Sequence, residues 1–313
     1  MVSIRHALVG SITGLALLLP LGACSPGQET TSNTDAPAEQ AAVPLAVGAI
    51  PDQDPEKLQR LYTQLADYLT AELGVPVEYK PVTDYAAAVT AFKVGDLDLV
   101  WFGGLTGVQA RLQVPGAKAI AQRDIDEQFH SVFIANTGSG LGSLTNVNDL
   151  ANLKGRTFTF GSESSTSGRL MPQYFLQQAG VNPDQDFKGD VGFSGNHDTT
   201  LKLVEAGTYE AGALNEQVWL DRVAEGAVDE SKVTVIWRTP PYYDYHWVIS
   251  PGVEERYGAG FTEKVQAALI GLDPSVPEQQ EILELFGAEG FIPTQDGNYA
   301  QIEAIGRQIG KIQ

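Results

Sequence analysis

Five hydroxyl side chains crowd into one short stretch: Ser162, Ser164, Ser165, Thr166 and Ser167. Residues 157–160 before it alternate Thr and Phe, the pattern of a short strand. Leu170, Tyr174, Phe175 and Gln178 after it fall at helical spacing, and Gly180 supplies a stop. A hydroxyl run at a helix start has two uses. It caps the free N–H groups of the first turn. It also forms an anion cradle, because those N–H groups and the positive end of the helix dipole face one spot. A helix needs one cap, and this segment holds several candidates.

The elements that must position this cradle alternate between strand and helix along the chain. Strands are expected at residues 45–50, 77–82, 97–102, 117–122, 130–136, 190–193, 211–214, 233–238 and 245–250, with amphipathic helices between most of them. Such alternation argues for parallel sheets covered by helices. Ligands of open α/β sheets sit beyond the carboxyl ends of the strands. Six stretches lie there: residues 50–54, 83–85, 101–106 with Phe102, 162–167, 194–198, and 215–216 with Asn215.

The amino-terminal residues read as a secretory signal, with Arg5 before an apolar run and small residues before Cys24. Leu21-Gly-Ala-Cys24 resembles the bacterial lipobox, which makes Cys24 the expected lipidation site. Cys24 is the only cysteine, so no intrachain disulfide is available to it. Residues 24–42 are rich in Ser, Thr, Pro, Gln and Ala and read as a disordered tether. The net charge of −19 makes nucleic acid and anionic membrane surfaces poor partners. An anion must then be held by local N–H and hydroxyl groups. The chain carries no Gly-x-Ser-x-Gly elbow, His-Glu-x-x-His pair or Walker loop, which speaks against the commonest hydrolases and nucleotide enzymes.

Together, the lipobox, the tether, Ser-Thr-Ser-Gly opening a helix that soon contains Pro172, the His197-Asp198 pair and the Gly-Ala strand resemble a known family. It is that of the periplasmic phosphate/phosphonate/phosphite-binding proteins of ABC importers. The resemblance covers essentially the whole body after the tether. It implies that Ser165, Thr166 and Ser167 hold the oxygens of a tetrahedral oxyanion, and that Tyr85, His197 and Asp198 complete the site. Residues 82–87 and 101–111 are similar to a subgroup linked to selenate. Gly107 stands where many phosphonate binders carry an aromatic residue, and no carboxylate aligns to bind an amine. Both departures favour a small inorganic oxyanion or a small alkylphosphonate.

The expected architecture is a two-lobed α/β binding-protein fold of type II, each lobe a mixed, mostly parallel sheet flanked by helices. Lobe 1 takes residues 43–137 and 239–313, and lobe 2 takes 138–238, with hinges near 137–140 and 239–241. The expected function is capture of the oxyanion in the interlobe cleft and delivery to membrane permease subunits, by a lipid-anchored monomer with no cofactor, no metal and no catalysis. Alternatives are a selenate- or sulfate-type ligand, another small solute such as a pyrimidine, or a secreted hydrolase. His130 and His246 read as core or rim residues, and Arg123 and Arg169 as surface ion-pair formers that could instead add charge to the anion. Residues 242–247 read as a packed strand entry that could also line the cleft.

Overall fold

The computed structural model describes residues 43–313. The Cys24 anchor and the tether lie outside the described residues. In chain order the strands are β1 (Leu45–Ala49), β2 (Val77–Tyr79), β3 (Leu99–Phe102), β4 (Lys118–Arg123), β5 (Ser131–Asn136), β6 (Phe158–Phe160), β7 (Gly192–Phe193), β8 (Ala211–Asn215), β9 (Val233–Arg238), β10 (His246–Ile249) and β11 (Phe291–Pro293). The helices are α1 (Pro55–Leu73), α2 (Tyr85–Val94), α3 (Gly104–Gln113), α4 (Met171–Gln178), α5 (His197–Glu205), α6 (Glu216–Ala224), α7 (Gly252–Tyr257), α8 (Phe261–Ile270), α9 (Pro277–Phe286) and α10 (Ala300–Gln308).

Two sheets result, one per lobe, with orders β11-β4-β10-β3-β1-β2 and β7-β6-β8-β5-β9. β1 and β3 are buried along their whole length, as strands covered on both faces must be. Helices cover these faces with apolar stripes. In α1, Leu58, Leu61, Tyr62, Leu65 and Leu69 are buried at helical spacing. Asp54 caps its start, and Gly74 ends it with φ 69°, a left-handed conformation that glycine adopts without strain.

Both sheets are mixed, but less parallel than expected. β1 pairs in parallel with β2 and β3, whereas β10 and β4 bring three antiparallel pairings. In the second sheet β6 is parallel to β7 and β8, and β5 is antiparallel to β8 and β9. The antiparallel strands cluster where the chain passes between sheets.

Those passages also revise one expected boundary. β5 belongs to the second sheet, so the chain leaves the first sheet between Arg123 and Ser131, upstream of residues 137–140. The reason is burial. Val132 to Ala135 is apolar on both faces, and β8 and β9 flank it on both sides. The return to the first sheet lies between Arg238 and His246. The two passages are joined: Phe129 and Tyr242 exchange both backbone hydrogen bonds at 3.0 Å, and Ser131 N–H donates to Thr239 Oγ1 at 3.0 Å.

Candidate functional site: a hydroxyl cradle between the lobes

The cradle forms at the carboxyl end of β6, next to the β6–β8 step where strand order reverses. Thr166–Leu170 winds as one wide π-type turn that leads into α4. Each of its three hydroxyl residues has a different task. Ser165 is the cap: its Oγ accepts from Gly168 N–H at 2.9 Å. Thr166 reaches the other lobe, where its Oγ1 accepts from Leu105 N–H in the first turn of α3 at 2.9 Å. Ser167 Oγ is buried without a partner among the described residues. The first N–H groups of such a turn also lack intrahelical acceptors.

Opposite the turn stand groups from the first lobe. Tyr85 opens α2 after the Asp84 cap, and its hydroxyl, buried without a partner, lies beside Ser165. Burial pushes its pKa well up, so it is a hydroxyl donor. Asp244 precedes β10. Its Oδ1 accepts from Gly104 N–H at 2.8 Å, and its Oδ2 has no protein partner. Burial, only partly offset by that hydrogen bond, pushes its pKa up to about 7. A Cβ on Gly103 would stand 3.2 Å from Thr166 Oγ1 and 3.4 Å from Asp244 Oδ1. Thr166, Asp244 and the Gly103 backbone therefore meet at one point, where a Cβ would require its neighbours to give way by a few tenths of an ångström.

His197 enters from the second lobe. Asn196 caps α5, with its Oδ1 accepting from Thr199 N–H at 2.8 Å, so neither His197 nor Asp198 is the cap. The His197 ring is fully buried, and a Cβ on Gly168 would lie 3.1 Å from its Cε1; glycine there admits the imidazole. Its Nδ1 accepts from Asn215 N–H at 3.3 Å, and its Nε2 faces Tyr245 Oη at 3.3 Å. Burial lowers its pKa to about 4, so the ring is neutral with its proton on Nε2. Asn215 caps α6 through Oδ1 and donates from Nδ2 to Tyr245 Oη at 3.1 Å. Asp52, against Tyr245, is pushed up to about 6 by burial.

Two expected site residues are placed differently. The Phe102 ring is fully buried in the first lobe, edge-on to Phe92 at 5.9 Å; β3 directs it into the core. Asp198 points to the rim. Its carboxylate takes Arg222 at 2.6 and 3.1 Å and Asp54 N–H at 2.8 Å, so its strong acceptor positions are committed to protein donors. The remaining expected residues, Ser165, Thr166, Ser167, Tyr85, His197 and Asn215, gather around the seam. Sequence reasoning did not select Asp52, Asp244 or Tyr245. Its available signals were the strand-end stretch 50–54 and the aromatic cluster 242–247 where the chain returns to the first lobe. Arg123 and Arg169 are buried, not surface, residues. Arg123 is clamped by Asp126 through two 2.8 Å hydrogen bonds and lies over the Tyr245 ring, and Arg169 lies 4.1 Å over the Phe160 ring. Among the described residues no cluster of His, Cys, Asp and Glu could hold a metal ion.

Two lobes, each an open α/β sheet, with buried hydrogen-bonding groups from both at their seam, define a two-lobed solute-binding protein. The family model for the phosphonate ABC transporter periplasmic substrate-binding protein matches residues 47–299, and the chain belongs to that family. It is a family of transport binding proteins, not of enzymes. The chain is 49% identical over 269 residues to the probable ABC transporter phosphite binding protein PhnD1 of Prochlorococcus marinus (strain MIT 9301), covering 86% of this chain and 90% of that protein. The structure of Prochlorococcus PhnD1 in complex with methylphosphonate matches with a TM-score of 0.84 over 86% of this chain and 98% of that one. The phosphonates-binding periplasmic protein of Escherichia coli (strain K12) is 27% identical over 274 residues, covering 85% of this chain and 77% of its own length.

Proposed function

We propose that this protein captures a small, singly protonated tetrahedral phosphorus oxyanion, phosphite or methylphosphonate, and hands it to the membrane permease of an ABC importer. The observation that carries this reading is a set of unpaired buried groups of complementary kind. Among the described residues, Tyr85 Oη and Ser167 Oγ are donors without partners, and Asp244 Oδ2 is an acceptor without one. An unsatisfied buried polar group costs about 1–3 kcal/mol, so these groups are held for a ligand that needs them. The donors suit anionic oxygens. The carboxylate suits a ligand P–OH, which sulfate and selenate lack near neutral pH. The 49% identical Prochlorococcus relative, a probable phosphite binding protein whose structure holds methylphosphonate, supports this chemistry.

The lobes, residues 43–130 with 239–313 and residues 131–238, close over the ligand about the paired passages at Phe129 and Tyr242. The protein acts as a monomer, is held at the outer face of a membrane by lipid on Cys24, and binds without turnover. Calorimetric titration with phosphite, methylphosphonate, phosphate, sulfate and selenate tests the reading. Saturable binding of phosphite and methylphosphonate without conversion supports it. Tighter binding of selenate or sulfate than of either overturns it.

A further inference from the structure

Asp198 is a buried carboxylate that the ligand site does not use. It is 7% exposed and sits in the first turn of α5, beside His197. Arg222 of α6 holds it by two hydrogen bonds, Nε to Oδ1 at 2.6 Å and Nη2 to Oδ2 at 3.1 Å. Both partners belong to the second lobe, so this pair exists whether or not the lobes meet. The third contact is between lobes: Asp54 N–H donates to Asp198 Oδ2 at 2.8 Å.

Asp54 begins α1 in the first lobe. Its own carboxylate is spent on the N–H groups of Glu56 and Lys57, at 3.0 and 3.2 Å. Its backbone N–H is left for the other lobe, at the positive end of a 19-residue helix. Two more contacts between the lobes flank this one: His197 N–H to Asp52 O at 3.0 Å, and Lys57 Nζ to Asp221 at 3.7 Å. Asp198, Asp54, Lys57 and Arg222 line a groove of about 870 Å³ whose walls include neither Ser165–Ser167 nor Tyr85 nor Asp244. The contact therefore lies outside the cradle.

We propose that Asp198 is a closed-state latch: held by Arg222, it docks on the amino end of α1 and sets how long the ligand stays enclosed. Asp198 is then a positioning residue, acting through closure and never touching the ligand. The proposal rests on the closing two-lobed binder described above. The link to the ligand is the first turn of α5. His197 faces Tyr245 in the site while Asp198 faces the rim, so the movement that brings His197 to Tyr245 also seats Asp198 on Asp54. Because the latch does not contact the ligand, its effect is the same for every ligand.

The test measures association and dissociation of phosphite and of methylphosphonate by stopped-flow tryptophan fluorescence, on the full chain. Asp198→Asn removes the charge from the second lobe. Asp54→Pro removes the N–H from the first, at a φ of −57° that proline accepts, and Asp54→Ala controls for the lost cap. Asp198→Asn should dissociate both ligands about tenfold faster, the size of one hydrogen bond to a charged group. Association should change less than about twofold, since affinity differences within one interface lie mostly in dissociation. Asp54→Pro should show the same acceleration relative to Asp54→Ala. Dissociation at the wild-type rate in Asp198→Asn, or in Asp54→Pro relative to its control, overturns the latch, as does an acceleration that differs between the two ligands. Wild-type protein that binds neither ligand overturns the functional reading and the latch with it.

Discussion

Thr166 Oγ1 accepts the backbone N–H of Leu105 at 2.9 Å, and these two residues belong to different lobes. The middle hydroxyl of the cradle thus joins the amino end of α3 across the seam, and in the closing binder proposed above this bond is made when the lobes meet. Thr166→Val keeps the shape and removes the acceptor, leaving the Leu105 N–H unpaired. Affinity for phosphite should fall by about one to two orders of magnitude, from the cost of an unsatisfied buried donor. Small-angle scattering should show a weaker ligand-induced decrease in radius of gyration. Unchanged affinity with full compaction would remove Thr166 from the closing mechanism.

Ser165 and Ser167 should separate under mutation. Ser165 Oγ is spent on Gly168 N–H, whereas Ser167 Oγ is free. Ser165→Ala should lower apo stability by about 1 kcal/mol, the worth of a cap. Ser167→Ala should leave the melting temperature nearly unchanged and weaken ligand binding by about tenfold or more. The reverse pattern in paired melting and calorimetric measurements would exchange their roles.

Asp244 predicts a pH dependence of stability. Its pKa is raised by burial from 3.8 to about 7, so between these values the folded state holds a proton that the unfolded state has released. Stability from this group is full below about pH 4 and is lost as pH rises through 7. Asp244→Asn removes that loss while keeping an acceptor for Gly104 N–H. At pH 8 the ligand-free variant should melt at least about 3 °C above wild type, and the gap should close toward pH 4. At the same time its ligand affinity should fall, because with Oδ1 held by Gly104 N–H the amide presents an N–H donor, not an acceptor, where Oδ2 would take the ligand's P–OH. A variant that melts lower than wild type at pH 8 would show the carboxylate to be stabilising instead.

The anchor can be checked by fractionation. Cys24→Ala should move the protein from the membrane to the soluble fraction and abolish lipid labelling. Membrane retention in the variant would mean a different attachment.

The hydroxyl run and the strand ends were legible in the sequence because each follows from local rules, whereas the two-lobed architecture was legible only through the family resemblance. Alternation, helical spacing and capping residues place β6, α4 and α5, and the strand-end rule brings Tyr85, Ser165–Ser167, His197 and Asn215 to one seam. Only the tertiary structure decided what each side chain does there. His197 and Asp198 are neighbours in sequence, but consecutive helical residues point about 100° apart. The first therefore meets Tyr245 while the second meets Arg222 and Asp54. Asp244 gains its place from Gly104, 140 residues earlier, a relation that no local pattern encodes. Arg123 and Arg169 looked like surface charges because composition cannot show that Asp126 in one case and the Phe160 ring in the other would cover them. Local physics set which segments meet at the seam. Packing between distant segments set which of their polar atoms were paired there and which were left free for a ligand.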